Sequence, residues 1–360
     1  MNAVAPSWGG SPAEFSMRLL RLLATPLSPL YGAVVKARNR AFDSHPERAA
    51  RAGRPVVSVG NLSLGGTGKT PVTLFLAEGL QRRGWSNVIL SRGYGGRRST
   101  DPMAVEPDTS PGQAGDEPVL MARKLGSKRV VVARHRIEGA RLAEGFDPQP
   151  RCLLLDDGFQ HRAIHRDLDL LVLDGIKRWG NGRMVPSGDL REPMASAARA
   201  HALVVTRASR APMAEIRSWW SMHGSGGPVF TVDFAIRTLR DWRTGESMDL
   251  PDAQDRAFLA FCALGSPAAF LADLMVAGVR WVVDVAFQDH HPLSVGELAA
   301  LEAKALEAEA EALVCTEKDA VMLGEAHRQA LGMPLYVAEQ SLLGGEDLLE
   351  WVVSHLEANQ

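Results

Sequence analysis

Short apolar runs alternate with stretches of helical spacing along most of this chain. The first run, Val56-Val57-Ser58-Val59, leads into a glycine-rich turn. Val72, Phe75, Leu76 and Leu80 then recur at i, i+3, i+4 and i+8, one face of a helix that Gly84 stops. Further strands are predicted at Val88–Leu90, Val130–Ala133, Cys152–Leu155, Leu168–Leu173 and Leu203–Val205. Helices are predicted at Glu117–Leu125, Ile137–Glu144 and Met194–Ala200. Strands alternating with helices imply a parallel sheet covered on both faces. Ligands of such sheets bind at the carboxyl ends of the strands, so the residues just after each apolar run are where chemistry belongs.

Gly224-Ser225-Gly226-Gly227-Pro228 is the best internal boundary. Beyond it strands are predicted at Val229–Val232, Phe258–Cys262, Trp281–Ala286, Leu313–Cys315 and Leu335–Val337. Helices fit Ala268–Val276, Ser294–Glu309 and Glu346–His355. The expected architecture is α/β: a basic N-terminal segment over 1–45, a phosphate-loop domain over 46–223 and a smaller α/β domain over 224–360 that closes a cleft.

The turn after the first strand reads Gly65-Gly66-Thr67-Gly68-Lys69-Thr70. Strand, glycine loop and helix in that order form the context of a nucleotide phosphate loop. Glycine backbone N–H groups and the helix N-terminus cradle phosphates, Lys69 reaches the terminal phosphates, and the Thr70 hydroxyl ligates Mg²⁺. Ser63 stands where the common pattern has its first glycine. Pro71 falls in the first helical turn, where a missing N–H does no harm.

Other strand ends carry polar groups. Leu153-Leu154-Leu155 runs into Asp156-Asp157, the acidic strand end that a phosphate loop needs opposite its Mg²⁺; either aspartate suits the metal. Asp116 in Gly115-Asp116-Glu117-Pro118 reads as a helix N-cap or as the acceptor of a substrate hydroxyl proton. Arg92 and Arg97 sit in a glycine-rich loop, and Arg191 in Leu190-Arg191-Glu192-Pro193 suits charge on a transferring phosphoryl group. Asp289-His290-His291 fits an acid/base or orienting role better than zinc, because no third ligand is near in sequence. Thr316-Glu317-Lys318-Asp319 reads as cleft lining or as a helix cap.

A hydrophobic content of 46% and a charged content of 23% describe an ordinary globular protein of a size that holds two domains. Cys152, Cys262 and Cys315 lie in or at the ends of apolar runs without metal-ligand spacing and read as buried thiols. The net charge of −2 hides an asymmetry: residues 1–54 sum to +5 and the remainder to −7. The basic segment includes Phe15-Ser16-Met17-Arg18-Leu19-Leu20-Arg21-Leu22-Leu23, too short to cross a bilayer, so it reads as an interfacial amphipathic helix or one packed on its own domain.

Taken together, these motifs resemble the tetraacyldisaccharide 4′-kinase (lipid A 4′-kinase) family. The resemblance runs from Val59-Gly60-Asn61-Leu62-Ser63 through the phosphate loop to Ser91-Arg92-Gly93-Tyr94-Gly95-Gly96 and Gly115-Asp116-Glu117-Pro118. It continues through Asp156-Asp157-Gly158-Phe159-Gln160-His161, Leu190–Pro193, Phe261-Cys262, Asp289–His291 and Thr316–Val321. Gln288, Asp189, Ala263 and Ser266 depart from its pattern. The resemblance implies ATP- and Mg²⁺-dependent phosphorylation of the 4′-hydroxyl of a tetraacylated glucosamine disaccharide 1-phosphate at the cytoplasmic face of the inner membrane. Asp116 is then the base, paired with His290, and Arg191 assists transfer. Partners expected are the lipid and the membrane surface, with neither nucleic acid nor an obligate protein partner. A phosphate-loop ATPase or switch, and a soluble small-molecule kinase, are the competing readings of the nucleotide site.

Overall fold

A computed structural model describes residues 25–96 and 101–358. The expected helix over Phe15–Leu23, and Arg97, lie outside the described residues.

Eight strands form the first sheet: β1 (Val56–Gly60), β2 (Asn87–Ser91), β3 (Met103–Val105), β4 (Val130–Val132), β5 (Cys152–Asp156), β6 (Leu168–Asp174), β7 (Ala202–Thr206) and β8 (Val229–Thr231). Their spatial order is β3-β4-β2-β5-β1-β6-β7-β8, and only β3 runs antiparallel to its neighbour. β1, β2, β5 and β6 are buried at every residue, as strands covered on both faces must be.

The second sheet contains β9 (Asp233–Asp241), β10 (Ser247–Asp249), β11 (Phe258–Cys262), β12 (Trp281–Ala286), β13 (Ala312–Thr316) and β14 (Leu335–Leu343), in the order β10-β9-β14-β13-β11-β12. The long antiparallel pair β9 and β14 continues from Tyr336 opposite Asp241 to Leu343 opposite Asp233, and so carries the chain between the sheets twice.

Several elements differ from expectation. Strand β8 still pairs with β7, so the change of sheet falls after Thr231, not at residue 224. The Glu346–Ala358 helix leaves the second sheet and packs on the Lys69–Arg82 helix of the first, burying Leu348, Leu349, Val352, Val353 and Leu356. Gly79 makes room for it, since a Cβ there would lie 2.6 Å from Leu349 Cδ2. Each such buried leucine contributes about 1.5–3 kcal/mol. Met194–Arg199 is a 3₁₀ segment, not an α-helix.

The Leu27–Ser44 helix buries Gly32, Val35 and Asn39 against the first domain. Its opposite face presents Leu27, Leu30, Tyr31 and Val34 to the outside, three of them more than half exposed. These four fall at i, i+3, i+4 and i+7, a continuous apolar stripe. No helix of the described residues is long and apolar enough to cross a membrane.

Candidate active site

The glycine loop leaves the end of β1 and feeds the N-terminus of the Lys69–Arg82 helix. Gly65 and Gly68 take φ of 93° and 83°, a region that side chains avoid. A Cβ on Gly68 would also lie 2.5 Å from the Phe234 ring. Asn61 Nδ2 donates to Thr67 Oγ1 at 2.9 Å, and Thr206 Oγ1 donates to the Thr67 carbonyl at 2.9 Å. Both bonds hold the loop from below. Ser63 is buried and bridges to Leu190, while Gly66, Lys69 and Thr70 line the cleft above.

Arg191 is brought to this loop by backbone pairing, its N–H donating to the Leu62 carbonyl at 2.7 Å. The neighbouring Glu192 is wholly buried, accepting from Asn39 Nδ2 at 2.6 Å and from Arg199 at 2.9 Å. That pairing ties the Leu27–Ser44 helix to the Arg191 loop, as does the Tyr31 hydroxyl donating to the Arg191 carbonyl at 3.1 Å.

The two carboxylates ending β5 have different surroundings. Asp157, at a φ of 51°, accepts from Arg191 at 2.7 and 3.0 Å, and Lys69 Nζ lies 3.5 Å away. Burial pushes its carboxyl up, but Lys69 and Arg191 outweigh that and hold it below the usual range. Asp156 is buried, accepts from Thr73 Oγ1 at 3.2 Å and has no ion-pair partner among the described residues. Burial, then the charges of Glu117 and Asp157, push it well above the usual carboxylate range.

Across the cleft, Gly115 occupies the N-cap of the Asp116–Leu125 helix, so Asp116 is the first helical residue and not its cap. Gly115, at φ 93°, sits so close to the Tyr94 carbonyl that a Cβ would collide with it. His290 Nδ1 lies 2.8 Å from Asp116 Oδ2, although 174 residues separate them. Burial pushes the Asp116 carboxyl up, but the His290 hydrogen bond and the Lys318 charge outweigh it and leave it below the usual range. The same hydrogen bond, opposed by burial, raises the His290 imidazole. His290 itself is held at φ 61°, a strained value for a residue with a side chain. His291 points elsewhere, to Glu297 at 2.9 Å, and no cluster of metal-ligating side chains occurs among the described residues. Thr316 caps the Glu317–Met322 helix with Asp319, while Lys318 lines the cleft: the motif does both of the jobs read from it.

One wall of the cleft is cationic. Arg92, Arg134 and His135 line it without a carboxylate partner among the described residues. Arg136 beside them is buried, donates to the Ala133 carbonyl at 2.8 Å and leaves its Nε unpartnered. Burial and then Arg136 and Arg92 push the neighbouring His161 down to about 4. Sequence reasoning missed Arg134–Arg136, although they directly follow β4, where the strand-end rule points. Thr73 and Glu117 were equally unmarked. The whole cleft has a volume of about 1400 Å³ and is lined from both sheets.

The model of the tetraacyldisaccharide-1-P 4′-kinase family matches residues 20–357. Relatives named tetraacyldisaccharide 4′-kinase include that of Koribacter versatilis, 38% identical over 88% of this chain and 93% of its own. That of Rhodopseudomonas palustris is 38% identical over 94% of this chain and 92% of its own. The crystal structure of LpxK from Aquifex aeolicus in complex with ATP superimposes with a TM-score of 0.72 at 30% identity, covering 94% of this chain and 99% of that one. With a family match across almost its entire length and a site assembled from the motifs named above, this chain belongs to the tetraacyldisaccharide-1-P 4′-kinase family.

Proposed function

We infer that this protein is an ATP-dependent kinase that phosphorylates the 4′-hydroxyl of a tetraacylated glucosamine disaccharide 1-phosphate. The observation that carries the reading is the Asp116–His290 pair, whose histidine lines the same cleft as the glycine loop while the buried carboxylate sits directly behind it. A switch or ATPase that transfers phosphate only to water needs no buried carboxylate oriented by a histidine from another domain.

In this reading the glycine loop, the helix N-terminus and Lys69 hold the ATP phosphates. Asp116 accepts the proton of the 4′-hydroxyl as its oxygen bonds to the γ-phosphorus, the bond to the β–γ bridging oxygen breaks, and ADP leaves. Arg191 shifts from Asp157 toward charge gathering on the transferring group. The residues fit Mg²⁺: Thr70 offers a hydroxyl, and Asp156 is a buried carboxylate lacking a cation. Magnesium takes oxygen ligands, mostly water and phosphate with one or two carboxylates, so a donor pair of this kind suffices. Once bound it neutralises charge on the phosphates. Asp157, already satisfied by Lys69 and Arg191, suits that role less.

Arg92, Arg134 and His135 supply a place for the acceptor's own phosphate. The apolar stripe of the Leu27–Ser44 helix, with Tyr31 and Arg38 at the cleft mouth, suits an enzyme lying on the cytoplasmic face of the inner membrane and working on a lipid that stays there. Incubation with labelled ATP, Mg²⁺ and the acylated disaccharide 1-phosphate in mixed micelles should give labelled lipid. Label appearing only in inorganic phosphate would favour the ATPase instead.

A further inference from the structure

Lys318 is the second residue of the Glu317–Met322 helix, and its place is fixed by strong local bonds. Asp319 closes the cap with Thr316 Oγ1 at 2.6 Å and also accepts the Ala263 N–H at 2.8 Å, pinning the turn to the end of β11. From this anchor the largely buried Lys318 side chain reaches the first domain. Its Nζ lies 2.9 Å from Asp289 Oδ1, 3.7 Å from Asp116 Oδ2 and 3.4 Å from His290 Nε2.

An ammonium group donates three hydrogen bonds and accepts none. His290 Nε2 therefore turns its lone pair to Lys318, and the ring proton sits on Nδ1, donated to Asp116 Oδ2. Were the ring protonated on both nitrogens, an N–H would face the ammonium across that gap, like charge against like. We propose that Lys318 is the positioning residue of this base: standing against Nε2, it opposes a second ring proton on His290 and keeps the Asp116–His290 pair free of a surplus proton. It acts on the reaction through the pair.

The remaining charges around the pair are few. Asp289 favours the charged imidazole but is itself engaged by Lys318. Glu117, on the same helix as Asp116, is largely buried and raised by that burial, with Lys318 opposing. Lys124 is paired with Glu317 at 2.6 Å, and Lys69 leans on Asp157. Lys318 is thus the cation in direct reach of both members of the pair.

The proposal rests on the kinase reading, and the test separates the two. Transfer to lipid is measured against pH for the wild type, Lys318→Met and Lys318→Arg, with ATP affinity followed in parallel. An opposite charge at this range shifts a carboxylate by one unit or more. Lys318→Met should therefore move the acid limb of kcat up by about one pH unit, with ATP affinity and acceptor KM unchanged. Lys318→Arg keeps the charge and should return most of that shift. Nitrogen NMR of labelled histidine should show His290 as the Nδ1–H tautomer at high pH in both proteins, and taking up its second proton at higher pH in Lys318→Met than in the wild type. An acid limb that does not move in Lys318→Met, or a rise in acceptor KM alone, would overturn the assignment. So would an Nε2–H ring in the wild type. If Lys318→Met does not fold, Lys318→Gln is read by the same criteria. A wild type that labels no lipid would sink the kinase reading, while the histidine titration still decides the role of Lys318.

Discussion

Asp116→Asn removes one charge and almost no volume, which makes it the sharpest probe of the site. The amide oxygen can still accept from His290 Nδ1, so the 2.8 Å contact has a substitute, but an amide cannot take a proton from an alcohol. A positioned general base contributes about 10²–10⁴-fold, equivalent to roughly 3–5 kcal/mol in the barrier. Among the described residues, Asp116 accepts from the Glu117 N–H and pairs with His290 and Lys318, with no contact to the glycine loop. ATP affinity should therefore stay within about twofold while kcat falls, the pattern of an interaction made only in the transition state. Stability carries a second signature. The Asp116 carboxyl is depressed in the folded protein, so its contribution is present above the ordinary aspartate value and is lost as pH falls through the folded one. The His290 imidazole is raised, so its contribution is present below the ordinary histidine value and is lost as pH rises through the folded one. Both are in force between about pH 4 and 6.5, and there the wild type should exceed Asp116→Asn in melting temperature by the widest margin. Single-turnover transfer, calorimetric ATP titration and thermal melts across pH measure all three quantities. A kcat within about tenfold of wild type, or a loss of ATP binding as large as the loss of rate, would refute the reasoning.

Other parts of the molecule give independent tests. Arg134→Ala should raise KM about tenfold for an acceptor carrying its 1-phosphate, the scale of one exposed charged hydrogen bond, and leave an acceptor lacking that phosphate unaffected. Leu30→Asp combined with Val34→Asp breaks the exposed stripe, so sedimentation with anionic vesicles should fall sharply while ATP affinity holds. Leu349→Ala empties the contact that the last helix makes over Gly79 and should lower unfolding free energy by about 2–5 kcal/mol in denaturant titrations.

Much of the first sheet was legible because parallel strands buried on both faces read as unbroken apolar runs: β1, β2, β5, β6 and β7 were all visible. Of the edge strands, β8 and β12 were visible and β3 and β10 were not. β3 and β10 are three residues each, too short to show a period. β9 buries Phe234, Ile236 and Leu239, so its period of two breaks where its pairing with β14 shifts register, and Arg237, Thr238 and Arg240 interrupt the apolar positions. The last helix was visible as a helix, yet its partner was not, since an apolar face states that something covers it without saying what.

The site shows the same division more sharply. Asp156 and Asp157 are neighbours in sequence and equivalent in pattern, but β5 ends at Asp156 and the chain turns at Asp157. Asp156 is buried and accepts from Thr73, one turn into the Lys69–Arg82 helix; Asp157, at positive φ, meets Lys69 at the start of that helix and Arg191. One is left short of a cation and the other holds two. Asp116 and His290 pose the converse problem, for no local pattern links residues 174 apart. Each motif stated its own chemistry at the end of its own strand. Their union depends on β9 and β14, the two strands that lead into and out of the second sheet and so set where its strand ends face the first. The Asp116–His290 bond forms across that junction only when the two sheets are in place. With Lys318 beside it, the bond is therefore a contact between the two sheets' domains as well as the centre of the proposed site.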